Sequence, residues 1–132
     1  MGVATIDEIR EKINKNSPIF EKICNLHHKD LIQSCEAFLN DLCKNHPLLD
    51  NFRSGGAYRT FDISYISKCT NDWVWEPNEI IYKIHYYDCL TVKINCFEAI
   101  IVETIQHCSP YIIHKIDLND FYNSYIKKHL NN

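Results

Sequence analysis

Glycine and proline are scarce in this 132-residue chain, three and four residues respectively. That excludes collagen-like repeats and the Pro/Gly-rich composition of extended disorder. Arginine is limited to Arg10, Arg53 and Arg59, and the net charge is −3. A groove that tracks nucleic-acid phosphates needs a basic face, so no nucleic-acid partner is expected. No apolar run approaches the roughly 18 residues that span a bilayer. Ile6 stands where N-myristoylation would need Ser or Thr, so no membrane partner is expected either.

Cysteine, by contrast, is plentiful, but the seven residues make an odd number, and Met1-Gly2-Val3-Ala4-Thr5 lacks the basic-then-apolar pattern of a secretion signal. These features predict reduced thiols and a cytoplasmic location. The hydrophobic fraction of 45% and charged fraction of 23% are ordinary for a packed globular chain. The length fits a single domain over residues 1–132, burying roughly two thirds of its unfolded surface. Arg53-Ser54-Gly55-Gly56 divides a helical part, about 1–52, from a part of strands and helices, about 57–132.

Thr5-Ile6-Asp7-Glu8 has the form of a capping box, and Ile6, Ile9 and Ile13 recur at helical spacing, which predicts a helix from Ile6 to Lys15. Ser17-Pro18 reads as a cap followed by proline at the first helical position, so a second helix is expected there, burying Ile19, Phe20, Ile23 and Cys24. A third carries Leu31, Ser34, Cys35, Phe38, Leu39 and Leu42 on one face and ends at Pro47.

After the glycine pair, Arg59, Phe61, Ile63 and Tyr65 alternate with polar residues, as in a half-buried strand. From Ile80 to Cys96 the even positions are apolar except Asp88. Since strands usually span about 3 to 10 residues, this stretch reads as a hairpin turning near Asp88. Parity selects a loop of odd length. With Tyr87-Asp88-Cys89 as the loop, Tyr86 faces Leu90, Ile84 faces Val92 and Tyr82 faces Ile94, all on one side.

Phe97, Ile100, Ile101, Thr104, Ile105 and Cys108 keep helical spacing behind a possible Asn95 cap, which predicts a helix. The dense β-branching would equally suit a strand reached through a turn at Asn95-Cys96. Tyr111 to Ile116 reads as a strand. Asp117 caps a last helix with Leu118, Phe121, Tyr122, Tyr125, Ile126, His129 and Leu130 on one face. The whole predicts an α+β fold: N-terminal helices, a small and mainly antiparallel sheet, and a C-terminal amphipathic helix packed on it.

Cys24-x-x-His27 and Cys43-x-x-His46 have zinc-like spacing. Both cysteines fall on or beside apolar helix faces, where a free thiol acts as a small hydrophobe, so no metal and no cofactor are expected. Abundance makes any Cys–His pairing unspecific. His107-Cys108 lies where a predicted helix C-terminus disfavours a thiolate, and Cys69 and Cys89 fall in predicted loops with no identifiable base. Ser54-Gly55-Gly56 lacks the spacing and lysine of a phosphate-binding loop. Glu98 and Glu103, five apart, do not form a facing carboxylate pair. No catalytic residue is assigned.

The distinctive segment is Asp72-Trp73-Val74-Trp75-Glu76-Pro77-Asn78-Glu79. Between Asp62 and Asp88, five acids stand against Lys68 and Lys83, and both tryptophans of the chain lie there. Complementary charge speeds encounter and aromatic anchors hold a complex. Asp72, Trp73, Trp75, Glu76, Glu79 and Asp88 are therefore expected to bind a basic protein partner. The expected function is an immunity-type inhibitor that covers the active surface of a basic toxin such as a nuclease. Two alternatives stay open: a small enzyme or small-molecule binder with a pocket lined by Tyr65, Tyr82, Tyr86 and His85, and a viral or bacterial adaptor that binds a host protein.

Overall fold

The computed structural model describes residues 5–44, 57–64, 79–85 and 88–130. The order is α1 (Ile6–Cys24), α2 (His28–Cys43), β1 (Tyr58–Ser64), β2 (Glu79–His85), β3 (Cys89–Ile94), β4 (Glu98–Thr104) and β5 (Tyr111–Asp117). A C-terminal helix follows, made of α3 (Leu118–Phe121), a π-helical turn (Tyr122–Ile126) and α4 (Lys127–Leu130). Among the described residues the strands form one antiparallel sheet in the order β1-β2-β3-β4-β5, and helices pack on it: the architecture is α+β.

The capping box at Thr5 forms as the sequence implies. The Thr5 hydroxyl oxygen accepts from the Glu8 N–H at 3.1 Å, and the Glu8 carboxylate accepts from the Thr5 N–H at 3.4 Å. The restart at Ser17-Pro18 does not occur, because α1 runs unbroken from Ile6 to Cys24 with Pro18 inside it. Ser17, instead of capping, turns its hydroxyl back onto the Ile13 carbonyl at 2.7 Å. Pro18 removes one backbone donor, and both it and Asn14, whose carbonyl would have received that bond, lie on the exposed side where water can substitute. The buried stripe Ile13, Asn16, Phe20 and Ile23 is thereby continuous, and its burial outweighs the cost of an interior proline. In α2, Leu31, Ser34, Cys35, Phe38, Leu39 and Leu42 are all buried as expected. The helix ends at Cys43, and Pro47 lies outside the described residues.

The β2–β3 hairpin has the expected parity with a different register. Tyr82 pairs with Val92, Ile84 with Leu90 and Ile80 with Ile94. The connection is therefore residues 86–88, not Tyr87-Asp88-Cys89, and Cys89 begins β3 opposite His85. A shift of two residues keeps every side chain on its face, which is why alternation alone cannot detect it. Ile80, Tyr82, Ile84, Leu90, Val92 and Ile94 are all buried on one side. Tyr86 lies outside the described residues.

Residues 98–104 form a strand, so the helical expectation for Phe97 to Cys108 is corrected in favour of its β-branched alternative. Asn95 is the deciding residue. Its side-chain oxygen accepts from the N–H groups of Phe97 and Glu98 at 2.8 and 3.0 Å, and its backbone N–H donates to the Glu98 carbonyl at 3.0 Å. The side chain that could cap a helix closes a tight hairpin instead. Ala99 and Ile101 then join the inner face, while Val102 faces Thr91 on the other side. α1 is tied to this turn by Asn16, whose buried amide donates to the Cys96 carbonyl at 2.7 Å.

The inner face is filled by α2 and the C-terminal helix. Phe38 meets His114, Phe121 and Tyr125 with ring centroids 5.5, 5.3 and 5.4 Å away. Asp117 caps the last helix through the Asn119 N–H at 3.0 Å. Phe121 and Ile126 are both buried although five residues apart. The π-helical turn between them has the i to i+5 spacing that puts both on one side.

Since α1 is continuous, Pro18→Ala should restore an internal hydrogen bond and stabilise the protein by about 1–3 kcal/mol in urea denaturation. A helix restarted at Ser17 would be indifferent to the change.

Candidate functional site

The two faces of the sheet offer different chemistry. On the inner face, Tyr82 is buried and donates its hydroxyl proton to the Glu36 carboxylate, which also receives the Arg59 guanidinium. Burial, reinforced by that carboxylate, holds the Tyr82 phenol above its ordinary range. His85 points to the opposite face from Tyr82, since the two are an odd number of residues apart on one strand. The pocket postulated between sheet and helices therefore cannot be lined by both, and Tyr65 and Tyr86 lie outside the described residues. Among the described residues, the space beneath the sheet is occupied by the core cluster that includes Phe38, Tyr82, Ile101 and Phe121.

Of the expected binding residues, Asp72, Trp73, Trp75 and Glu76 lie outside the described residues. Glu79 opens β2, where it is half-buried and paired with Ser64. Asp62 is exposed on the same outer face two residues before Ser64. Asp88 is at the other end of β2, about 20 Å away at the usual strand rise. Its carboxylate accepts from the Gln106 N–H at 3.1 Å and ties the β2–β3 connection to the one after β4. The structure thus separates Glu79 from Asp88.

Of the zinc-like units, only Cys24 and His27 have described side chains. Cys24 is half-buried at the end of α1, and burial, with lesser contributions from Cys96 and Glu21, pushes its thiol up to about 11. His27 is the N-cap of α2, and its Nδ1 accepts from the Lys29 N–H at 3.2 Å. Neither the side chain of Cys43 nor His46 is among the described residues, and within those no group of three or more His, Cys, Asp or Glu side chains is placed to hold a metal ion.

One constellation escaped the sequence. Across four strands of the outer face, Tyr58, His85, Cys89 and Thr104 occupy consecutive paired positions. The Tyr58 and His85 rings stack at 4.5 Å, only 5° from parallel. His85 Nδ1 lies 3.6 Å from the Cys89 sulfur, and its Nε2 lies 3.1 Å from the Thr60 hydroxyl. Cys89 thus has an imidazole neighbour that its place in a predicted loop did not reveal. The signal was present in the four-residue spacing of His85 and Cys89, which a three-residue connection places opposite each other.

The remaining described cysteines have no imidazole partner. Cys35 is fully buried, and burial pushes its thiol up to about 12; burial likewise raises Cys96. Cys108 is exposed, and all five described cysteines, Cys24, Cys35, Cys89, Cys96 and Cys108, are free. No helix among the described residues is long and apolar enough to cross a membrane.

No family model, curated protein or solved structure matches this chain. Its chemistry is therefore read from its own residues.

The raised thiols give a pH-dependent outcome. Thiolate is the reactive form, so at neutral pH native alkylation should modify Cys108 and spare Cys35 and Cys24, whose labelling rises only as pH approaches about 12 and about 11. Peptide mass spectrometry of native and denatured samples checks this. Equal native labelling of Cys35 and Cys108 would contradict the burial of α2.

Proposed function

We propose that this chain binds a basic protein and neutralises it, as an immunity-type inhibitor of a cytoplasmic toxin such as a nuclease, acting by coverage and not by catalysis. The observation that carries the reading is the pairing of Ser64 with Glu79. Residues 65–78, with Asp72, Trp73, Trp75 and Glu76, are therefore the stretch of sequence that joins two directly paired strand positions. A tight hairpin needs only about two to five residues, and connections much longer than that commonly carry function. Asp62 and Glu79 stand on the outer face beside the two ends of this stretch and add to its negative charge. Asp88, at the far end of β2 and committed to Gln106, falls outside this patch and acts in the fold.

An acidic, indole-bearing stretch of sequence matches a basic surface in two ways. Charge steers the encounter over about one Debye length, roughly 8 Å at physiological salt. Tryptophan then supplies contact area at little entropic cost.

Affinity capture from the native cell, followed by mass spectrometry, should recover a basic protein. Against that partner, Asp72→Asn, Glu76→Gln and Glu79→Gln should slow association and flatten its salt dependence. Trp73→Ala or Trp75→Ala should instead raise the dissociation rate, at a cost of about 2 kcal/mol or more for a hot spot. Unchanged kinetics in all five variants contradicts the proposal. Unfolding of the tryptophan variants would place the indoles in the core.

A further inference from the structure

We propose that Cys89 is a reactive thiol, with His85 as its base, that forms a mixed disulfide with small-molecule disulfides on the outer face of the sheet. The site shares no residue with the proposed binding patch, and Glu79 stands at the other end of β2. A nucleophile within reach of a base, with the base held by a third group, is the arrangement that activates a thiol. Here the sulfur is 3.6 Å from His85 Nδ1, and Thr60 lies 3.1 Å from Nε2. With Thr60 accepting the Nε2 proton, the neutral ring keeps its Nδ1 lone pair directed at the thiol. Once protonated, the ring is stabilised by the face of Tyr58, stacked on it at 4.5 Å.

Access matches this role. Cys89 is half-buried, and Tyr58, which stacks on His85, is 61% exposed, so the pair lies at the outer surface of the sheet. The groups around the pair are Tyr58 and Thr60 from β1, Lys83 from β2, Thr104 from β4, and Asp88, whose carboxylate is turned to the Gln106 N–H. Lys83 stands two residues before His85 on the same face of β2.

The chemistry of the site selects the substrate class. Acyl transfer would build an oxyanion that needs preorganised donors. Cys89 stands on an interior strand paired on both sides, so its backbone donors serve the ladders. Thiol–disulfide exchange has no oxyanion and needs only approach along the S–S axis. The Cys89 proton passes to His85 Nδ1, and the thiolate sulfur attacks one sulfur of the disulfide. A new S–S bond to Cys89 forms as the old one breaks. The departing thiolate keeps the electron pair of the broken bond and takes the proton from His85. Cys89 is oxidised to the mixed disulfide, and half of the small molecule is reduced to a thiol.

The probe is 5,5′-dithiobis(2-nitrobenzoate), with the full chain, at neutral pH and limiting exposure time. Adducts are assigned to Cys89 and Cys108 by peptide mass spectrometry. Cys108 is the internal reference, being exposed and without an imidazole partner among the described residues. Cys89 should react about tenfold or more faster than Cys108, less than the roughly hundredfold low end of what a positioned base contributes because Cys89 is the less exposed thiol. In denaturant the two rates should converge. His85→Gln, folded by circular dichroism, should bring Cys89 down to the Cys108 rate. Thr60→Val should move the pH profile of Cys89 toward that of Cys108, which loss of a merely structural contact would not do. Equal rates at the two thiols in the native wild type overturn the proposal, whatever the variants do. So does an unchanged Cys89 rate in folded His85→Gln.

Discussion

The pairing of β2 with β3 is the constraint on which the rest of the molecule depends. It sets Ile80, Tyr82 and Ile84 against Ile94, Val92 and Leu90, so six large side chains converge on one face. A slip of one residue would turn one strand's three to the other side and leave α2 and the C-terminal helix with half of that apolar surface to cover. Each flanking strand then adds in the register these two dictate. Phe61 and Ile63 enter from β1, Ala99 and Ile101 from β4, and His114 and Ile116 from β5 after the bulge at Ile101/Val102. The helices pack where the apolar surface is, with Phe38 at the point where sheet and C-terminal helix meet.

The same register distributes chemistry between the faces. The inner face uses its polar groups for cohesion: Glu36 takes the Tyr82 phenol and the Arg59 guanidinium, and the Tyr125 phenol donates to Asp41 at 2.5 Å. The outer face carries unspent chemistry at its two ends. At one end Ser64 pairs with Glu79, on either side of the acidic, tryptophan-bearing stretch of sequence. At the other His85 meets Cys89, with Thr60 and Tyr58 around the ring. The proposed binding and the proposed thiol exchange involve Glu79 and His85, at different ends of β2, so each can be tested without the other.

Much of this was legible in the sequence, and the residues show where legibility stopped. Caps at Thr5 and Asp117 were readable because one side chain and one spacing suffice. The face assignment of β2 and β3 was readable because alternation has period two. Their register was not, because a two-residue shift leaves alternation unchanged, and that shift decides whether His85 or Tyr86 lies beside the end of the turn. Asn95 was ambiguous because the same side-chain oxygen caps a helix or closes a hairpin. Only the need of β3 for a second partner resolves it. The run Ile100, Ile101, Val102 obscured the strand period because Val102 is nearly buried, at 7%, on the outer face as well. Pro18 misled because a local rule was applied where a continuous buried stripe from Ile13 to Ile23 overrides it.

The register of β2 against β3 is therefore the measurement to make. In isotope-labelled protein, cross-strand nuclear Overhauser contacts between backbone protons should link Ile84 with Leu90, Tyr82 with Val92 and His85 with Cys89. Contacts linking Tyr86 with Leu90 and Ile84 with Val92 would contradict the account. They would move Cys89 into the turn, away from His85, and shift the pairing on which both faces depend.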